Sequence, residues 1–96
     1  MNARFTSVAE NELRLAIEFY EREENGLGAK LLDEIEAAVS RILAHPEAWT
    51  KMSPRTRRCR TRRFPFGLFY QIRHDEILIV SVMDLRRDPK SWENFE

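Results

Sequence analysis

The stretch Phe66-Gly67-Leu68-Phe69-Tyr70-Gln71-Ile72-Arg73-His74-Asp75-Glu76-Ile77-Leu78-Ile79-Val80-Ser81-Val82-Met83 holds two apolar runs around a short polar interval. In the first run Leu68, Tyr70 and Ile72 alternate with Phe69 and Gln71, the period-two pattern of a strand. His74-Asp75-Glu76 supplies a turn, and the second run, Ile77 to Met83, is β-branched and apolar on both faces. A strand of that kind belongs in the middle of a sheet, covered by another layer. Two such runs joined by a tight turn read as an antiparallel hairpin.

Working upstream, Phe64-Pro65 marks a bend or a strand start, where a missing N–H does least harm. Before it, Arg57 to Arg63 alternates poorly, although Cys59 and Thr61 can share one face of a further strand. These segments predict an antiparallel meander. Residues 3–6 are short and add an edge strand beside it.

The first half of the chain has a different period. Ser7-x-x-Glu10 has the form of a capping box, in which the hydroxyl takes an early helix amide and the carboxylate reaches back. Leu13, Ala16, Ile17 and Tyr20 then recur at helical spacing, opposite a solvated ladder of Glu10, Arg14, Glu18 and Arg22 at i, i+4. The remaining helix acids read as solvation, and Phe19, Tyr20 and Phe69 as core. Asn25-Gly26 breaks the helix, since both residues tolerate positive φ. Leu31, Ile35, Ala38, Val39 and Ile42 form the stripe of a second helix, which Pro46 ends. The expected fold is α+β: an N-terminal antiparallel helical hairpin packed on a small antiparallel β-sheet.

The chain has 96 residues, room for one domain over residues 1–96. Its start lacks the apolar run of a signal peptide, and its longest apolar stretch falls well short of the ~20 residues of a membrane span. A cytoplasmic protein with no membrane partner is expected. The single cysteine, Cys59, has no internal disulfide partner. His45 and His74 are distant in sequence and lack neighbouring ligands, so no metal and no cofactor is expected.

Sixteen basic and sixteen acidic residues give a formal charge of zero, but the two signs are segregated. Residues 10–47 hold ten acids and four bases, a net of −6. Residues 51–63 hold seven bases and no acid: Lys51, Arg55, Arg57, Arg58, Arg60, Arg62 and Arg63. On a strand, Arg58, Arg60 and Arg62 would share one face and Arg57 and Arg63 the other. Like charges at ~6.5–7 Å repel, so something should meet them. Helix acids of the same chain, an acidic protein partner and nucleic-acid phosphates are the alternatives; arginine's planar fork suits any of these anions.

The helical hairpin, the segment Arg62-Arg63-Phe64-Pro65-Phe66-Gly67-Leu68-Phe69-Tyr70 and the tail Val82-Met83-Asp84-Leu85-Arg86-Arg87-Asp88-Pro89-x-x-Trp92 together resemble the ParE/RelE superfamily of toxins. The resemblance implies the toxic half of a type II toxin–antitoxin (plasmid stabilisation) module. Its fold would be the helical hairpin on a sheet already read from periodicity. Its partner would be a cognate antitoxin whose acidic C-terminal segment meets Arg57, Arg58, Arg60, Arg62 and Arg63, in a homodimer or a toxin–antitoxin hetero-oligomer.

Two activities occur in that superfamily. RelE-like members cut mRNA in the ribosomal A site, using the 2′-hydroxyl as nucleophile; ParE-like members inhibit DNA gyrase. Arg58 and Arg60 fall where the ribonuclease branch has basic residues, commonly lysines, and Arg86 on one of its arginines. These three are the catalytic candidates of that reading. Gly67 stands where that branch has a phosphate-stabilising arginine, and Trp92 where it has a tyrosine. An arginine does not give up its proton near neutral pH, and glycine stabilises no developing charge. The ParE-like branch, a gyrase-binding toxin that is not an enzyme, is therefore preferred, with the RelE-like mRNA interferase as the alternative. Arg86, Arg87 and Trp92 are candidate target contacts, although docking of the tail against the core is the favoured role for Trp92. A third alternative is an inert member that serves only as a complex partner.

Overall fold

The computed structural model describes residues 1–86. The elements run β1 (Asn2–Phe5), α1 (Ser7–Glu23), α2 (Leu27–Ala44), β2 (Thr50–Lys51), β3 (Arg57–Arg60), β4 (Phe66–Arg73) and β5 (Glu76–Asp84). The five strands form one sheet in the order β1-β5-β4-β3-β2. β2 to β5 pair antiparallel, and β1 adds to β5 in parallel as an edge strand. β5 therefore lies inside the sheet, as its two-sided apolar pattern predicts. The β4–β5 connection is the two-residue turn His74-Asp75, with His74 at a φ of 55°. A left-handed φ is uncommon for a residue other than glycine, though histidine is among the types enriched there.

Both helices pack on one face of the sheet. Leu31, Ile35, Ala38 and Ile42 of α2 are buried against Cys59, Leu68, Tyr70, Ile77, Ile79 and Val82. Leu13, Ala16, Ile17 and Tyr20 of α1 pack around this core less deeply. The two helices turn at Gly26, whose φ of 88° lies in the left-handed region. Gly28 then allows close approach: a Cβ there would sit 2.9 Å from the Ile17 carbonyl oxygen.

Several local expectations are corrected. The α1 cap is Thr6, not Ser7: the Thr6 hydroxyl accepts the Ala9 N–H at 3.1 Å. The Thr6 N–H already donates to Ile79 O at 3.0 Å, so the cap amide needs no carboxylate reaching back from the helix. β3 ends at Arg60, so Arg62 belongs to the following loop and not to the strand face of Arg58 and Arg60. The β4–β5 register skips Val80 between the pairs Phe69↔Ser81 and Tyr70↔Ile79. This bulge breaks the alternation, and the core positions of β5 become Ile77, Ile79 and Val82. Phe19 is half-exposed, unlike Tyr20 and the fully buried Phe69.

Candidate functional site

Cys59 fixes the two faces of β3. Its thiol lies 4.0 Å from Ala38 O on α2, so Arg58 and Arg60, on either side of it, project from the opposite face. Gly67, opposite Arg60, shares that face: a Cβ there would meet Arg58 Cγ at 3.2 Å and Leu85 Cδ2 at 3.0 Å. Any larger side chain would press on both neighbours. Partial burial lowers the Arg58 pKa from its usual value, and the charge of Arg60 adds to the effect. A guanidinium nonetheless stays protonated.

The other arginines of the run are used differently. Arg57 points to the helix side, where Nη1 donates to the carbonyls of Glu47 at 3.1 Å and Trp49 at 2.9 Å. Arg62 and Arg63 sit in the loop after β3, and their backbone N–H groups both donate to Glu34 Oε1 at 3.0 Å. An acid of α2 thus meets this segment through the main chain. The ion pairs found among the described residues are Arg4–Glu76, Arg14–Glu18 and Arg86–Asp84, none of which uses Arg57, Arg60, Arg62 or Arg63. Of the expected α1 ladder, only the Arg14–Glu18 pair at 3.1 Å is among them.

Arg86 follows β5 and is held by Asp84. Asp84 pairs with Phe66 in the sheet and lines a groove with Glu12, Leu15, Phe19 and Tyr20 of α1. It accepts Arg86 Nη2 at 2.7 Å, Nε at 3.0 Å and the Arg86 backbone N–H at 2.9 Å. The Asp84 hydrogen bond and charge raise the Arg86 pKa, with a smaller contribution from Tyr20. Arg86 is thereby folded to the α1 side of the sheet, whereas Arg58 and Arg60 face the other way. The three residues aligned with the ribonuclease branch thus project from two faces of the sheet. Arg87 and Trp92 lie outside the described residues.

Tyr70 and Cys59, buried in this sheet, are poorly suited to proton transfer. Burial raises the Tyr70 pKa to about 12, against the lowering effect of Arg57. The Tyr70 hydroxyl donates to Pro46 O at 2.6 Å. Burial also pushes the Cys59 thiol upward, with Arg41 opposing it.

Sequence reasoning missed the acids that act on the main chain. Glu12 Oε1 accepts both Ser81 Oγ and Val82 N–H at 2.9 Å, just beyond the bulge. Glu21 accepts the amides of Gly26 and Gly28 at the start of α2, at 3.0 Å and 3.1 Å. Glu34 does the same for the loop after β3. The expectation that acids outside the ladder serve only solvation is corrected accordingly. Asp84, two residues before Arg86, was the available sequence signal for that arginine's pairing.

Among the described residues no helix is long and apolar enough to cross a membrane. A family model for the ParE toxin of the type II toxin–antitoxin system parDE matches residues 3–89. A solved chain from the chromosomal ParDE TA system of P. aeruginosa is similar in fold, with a TM-score of 0.75 at 21% identity. The match covers 88% of this chain and 96% of that one. Among curated proteins, none matches significantly. Because the family model runs from the edge strand through both helices and the sheet to the Arg86-Arg87-Asp88-Pro89 motif, the chain belongs to the ParE family, the toxins of parDE-type toxin–antitoxin systems.

Proposed function

We infer that this toxin acts by binding DNA gyrase and not by cutting mRNA. The observation that carries the reading is the separation of Arg86, held by Asp84 beside α1, from Arg58 and Arg60 on the far face of the sheet. Cleavage through a 2′-hydroxyl needs a proton acceptor and a charge stabiliser converging on one phosphate. Gly67 carries no side chain to supply the second, and a Cβ there would press on Arg58 and Leu85. The raised pKa values of Tyr70 and Cys59 disfavour both as the first.

The partnership with an antitoxin follows from the family; its place on this surface is part of the proposal. An acidic antitoxin segment would fold against the face of β3 and β4 opposite the helices, with carboxylates on Arg58 and Arg60. Such a segment would bring negative charge to the face opposite the acidic helices.

The deciding assay is DNA supercoiling by purified gyrase with increasing amounts of the folded toxin. Inhibition that is reversed by antitoxin is expected. Full supercoiling at stoichiometric excess, together with Arg86-dependent A-site cuts in a translating extract, would replace this reading with the ribonuclease one.

A further inference from the structure

At the other end of β4 from Gly67, Lys51, Arg55, Arg57 and Arg73 line a pocket of about 260 Å³ beside Gln71. Among the described residues no acid lines it. Gly67 and Ile72 are separated by about 17 Å along the strand, so this pocket is distinct from the Arg60–Gly67 region.

Two of the four cations are held by neutral acceptors. Arg73 donates to Gln71 Oε1 through Nε at 2.9 Å and Nη2 at 2.6 Å. Gln71 is buried, and its amide donates to Thr56 Oγ1 at 3.1 Å, which leaves its oxygen to Arg73. Arg57 is held by the carbonyls of Glu47 and Trp49. The loop bearing Arg55 is folded back by the Met52 and Ser53 amides, which donate to Thr56 O at 2.8 Å and 3.2 Å. The acid across the sheet from Arg73 is Glu76, and Arg4 holds it at 2.9 Å. Neutral acceptors orient a guanidinium without cancelling its charge, so the pocket keeps a concentrated positive field.

We propose that this pocket binds a phosphate group, carried either on a nucleic-acid backbone or as a free diphosphate. A phosphate offers more charge and more acceptor oxygens than a carboxylate, and so better matches a pocket lined by three arginines and a lysine. The proposal goes beyond the gyrase reading and does not depend on it.

The test is calorimetry on the full chain at fixed ionic strength, using inorganic pyrophosphate and a twelve-nucleotide oligothymidylate (roughly the scale of a single-strand site). Saturable binding of at least one probe is expected. Arg55→Gln plus Arg73→Gln should weaken it at least tenfold, with thermal melts confirming folding. Arg22→Gln plus Lys30→Gln removes the same charge elsewhere and should change it less than twofold. Pyrophosphate displaced by the oligonucleotide assigns the site to a nucleic-acid backbone; pyrophosphate that is not displaced assigns it to free phosphate. The proposal is overturned if neither probe saturates, if both double variants lose affinity equally, or if an octaglutamate peptide binds where both phosphate probes fail.

Discussion

In the helical hairpin, Glu12, Glu21 and Glu34 turn their carboxylates onto main-chain amides of β5, the α2 start and the β3–β4 loop. Along β3, by contrast, Arg58 and Arg60 project from the face opposite the helices, and Arg57 holds two carbonyls. The chain is neutral in total, yet its two signs perform different tasks. Acids close gaps in the backbone hydrogen bonding, while Arg58 and the exposed Arg60 place positive charge on the face opposite the helices. A charge count, even a segmental one, does not reveal this division, because it treats a carboxylate bonded to two amides like one in water.

The comparison can be broken most sharply at Glu12. Glu12→Ala removes the acceptor for Val82 N–H and Ser81 Oγ and should cost about 1–3 kcal/mol in urea unfolding. Arg60→Ala, on the cationic side, should stay within about 0.5 kcal/mol of the parent. Equal costs would mean that the acids are no more structural than the arginines. Next in size is the α1 cap, where Thr6→Ala should cost about 1 kcal/mol and Ser7→Ala much less. The reverse order would restore Ser7 as the cap. Gly28→Ala sharpens the hairpin side: helix propensity favours alanine by ~1 kcal/mol, but the 2.9 Å approach to Ile17 O opposes it. A net loss of stability is expected; a gain would show that the helices can move apart there.

The smallest effect concerns pH. Arg4 lowers the Glu76 pKa below its usual value of 4.5, chiefly through their hydrogen bond. A carboxylate with a folded pKa below its unfolded one stabilises the fold above the unfolded pKa and loses that contribution as pH falls through the folded value. Stability should therefore decline on acidification below about pH 4.5, with a shallower decline in Arg4→Gln. Parallel pH profiles for the two proteins would remove this pair from the account.

Much of the fold was legible in the sequence. The helical stripes, the Asn25-Gly26 break, Pro46 and the β4–β5 hairpin each carry a local signal strong enough to place an element. What was hidden depends on contacts distant in the chain. Thr6 and Ser7 are both competent caps, and the choice follows from the bond between Thr6 N–H and Ile79 O. The Val80 bulge has no marker of its own among β-branched neighbours, and with it the role of Glu12 was invisible. The arginine run was legible as charge, but its division among a strand face, carbonyl contacts and a loop was set by where β3 stops. Arg86 was legible as a candidate, whereas its separation from Arg58 and Arg60 required the sheet register.

The most direct test of this division of charge is calorimetric titration of the toxin with its antitoxin, before and after Arg58→Gln plus Arg60→Glu. The account predicts at least a tenfold loss of affinity, about 1.4 kcal/mol or more, in a variant that thermal melts show to be folded. Unchanged affinity in the folded variant would contradict it and take the β3 arginines out of the interface.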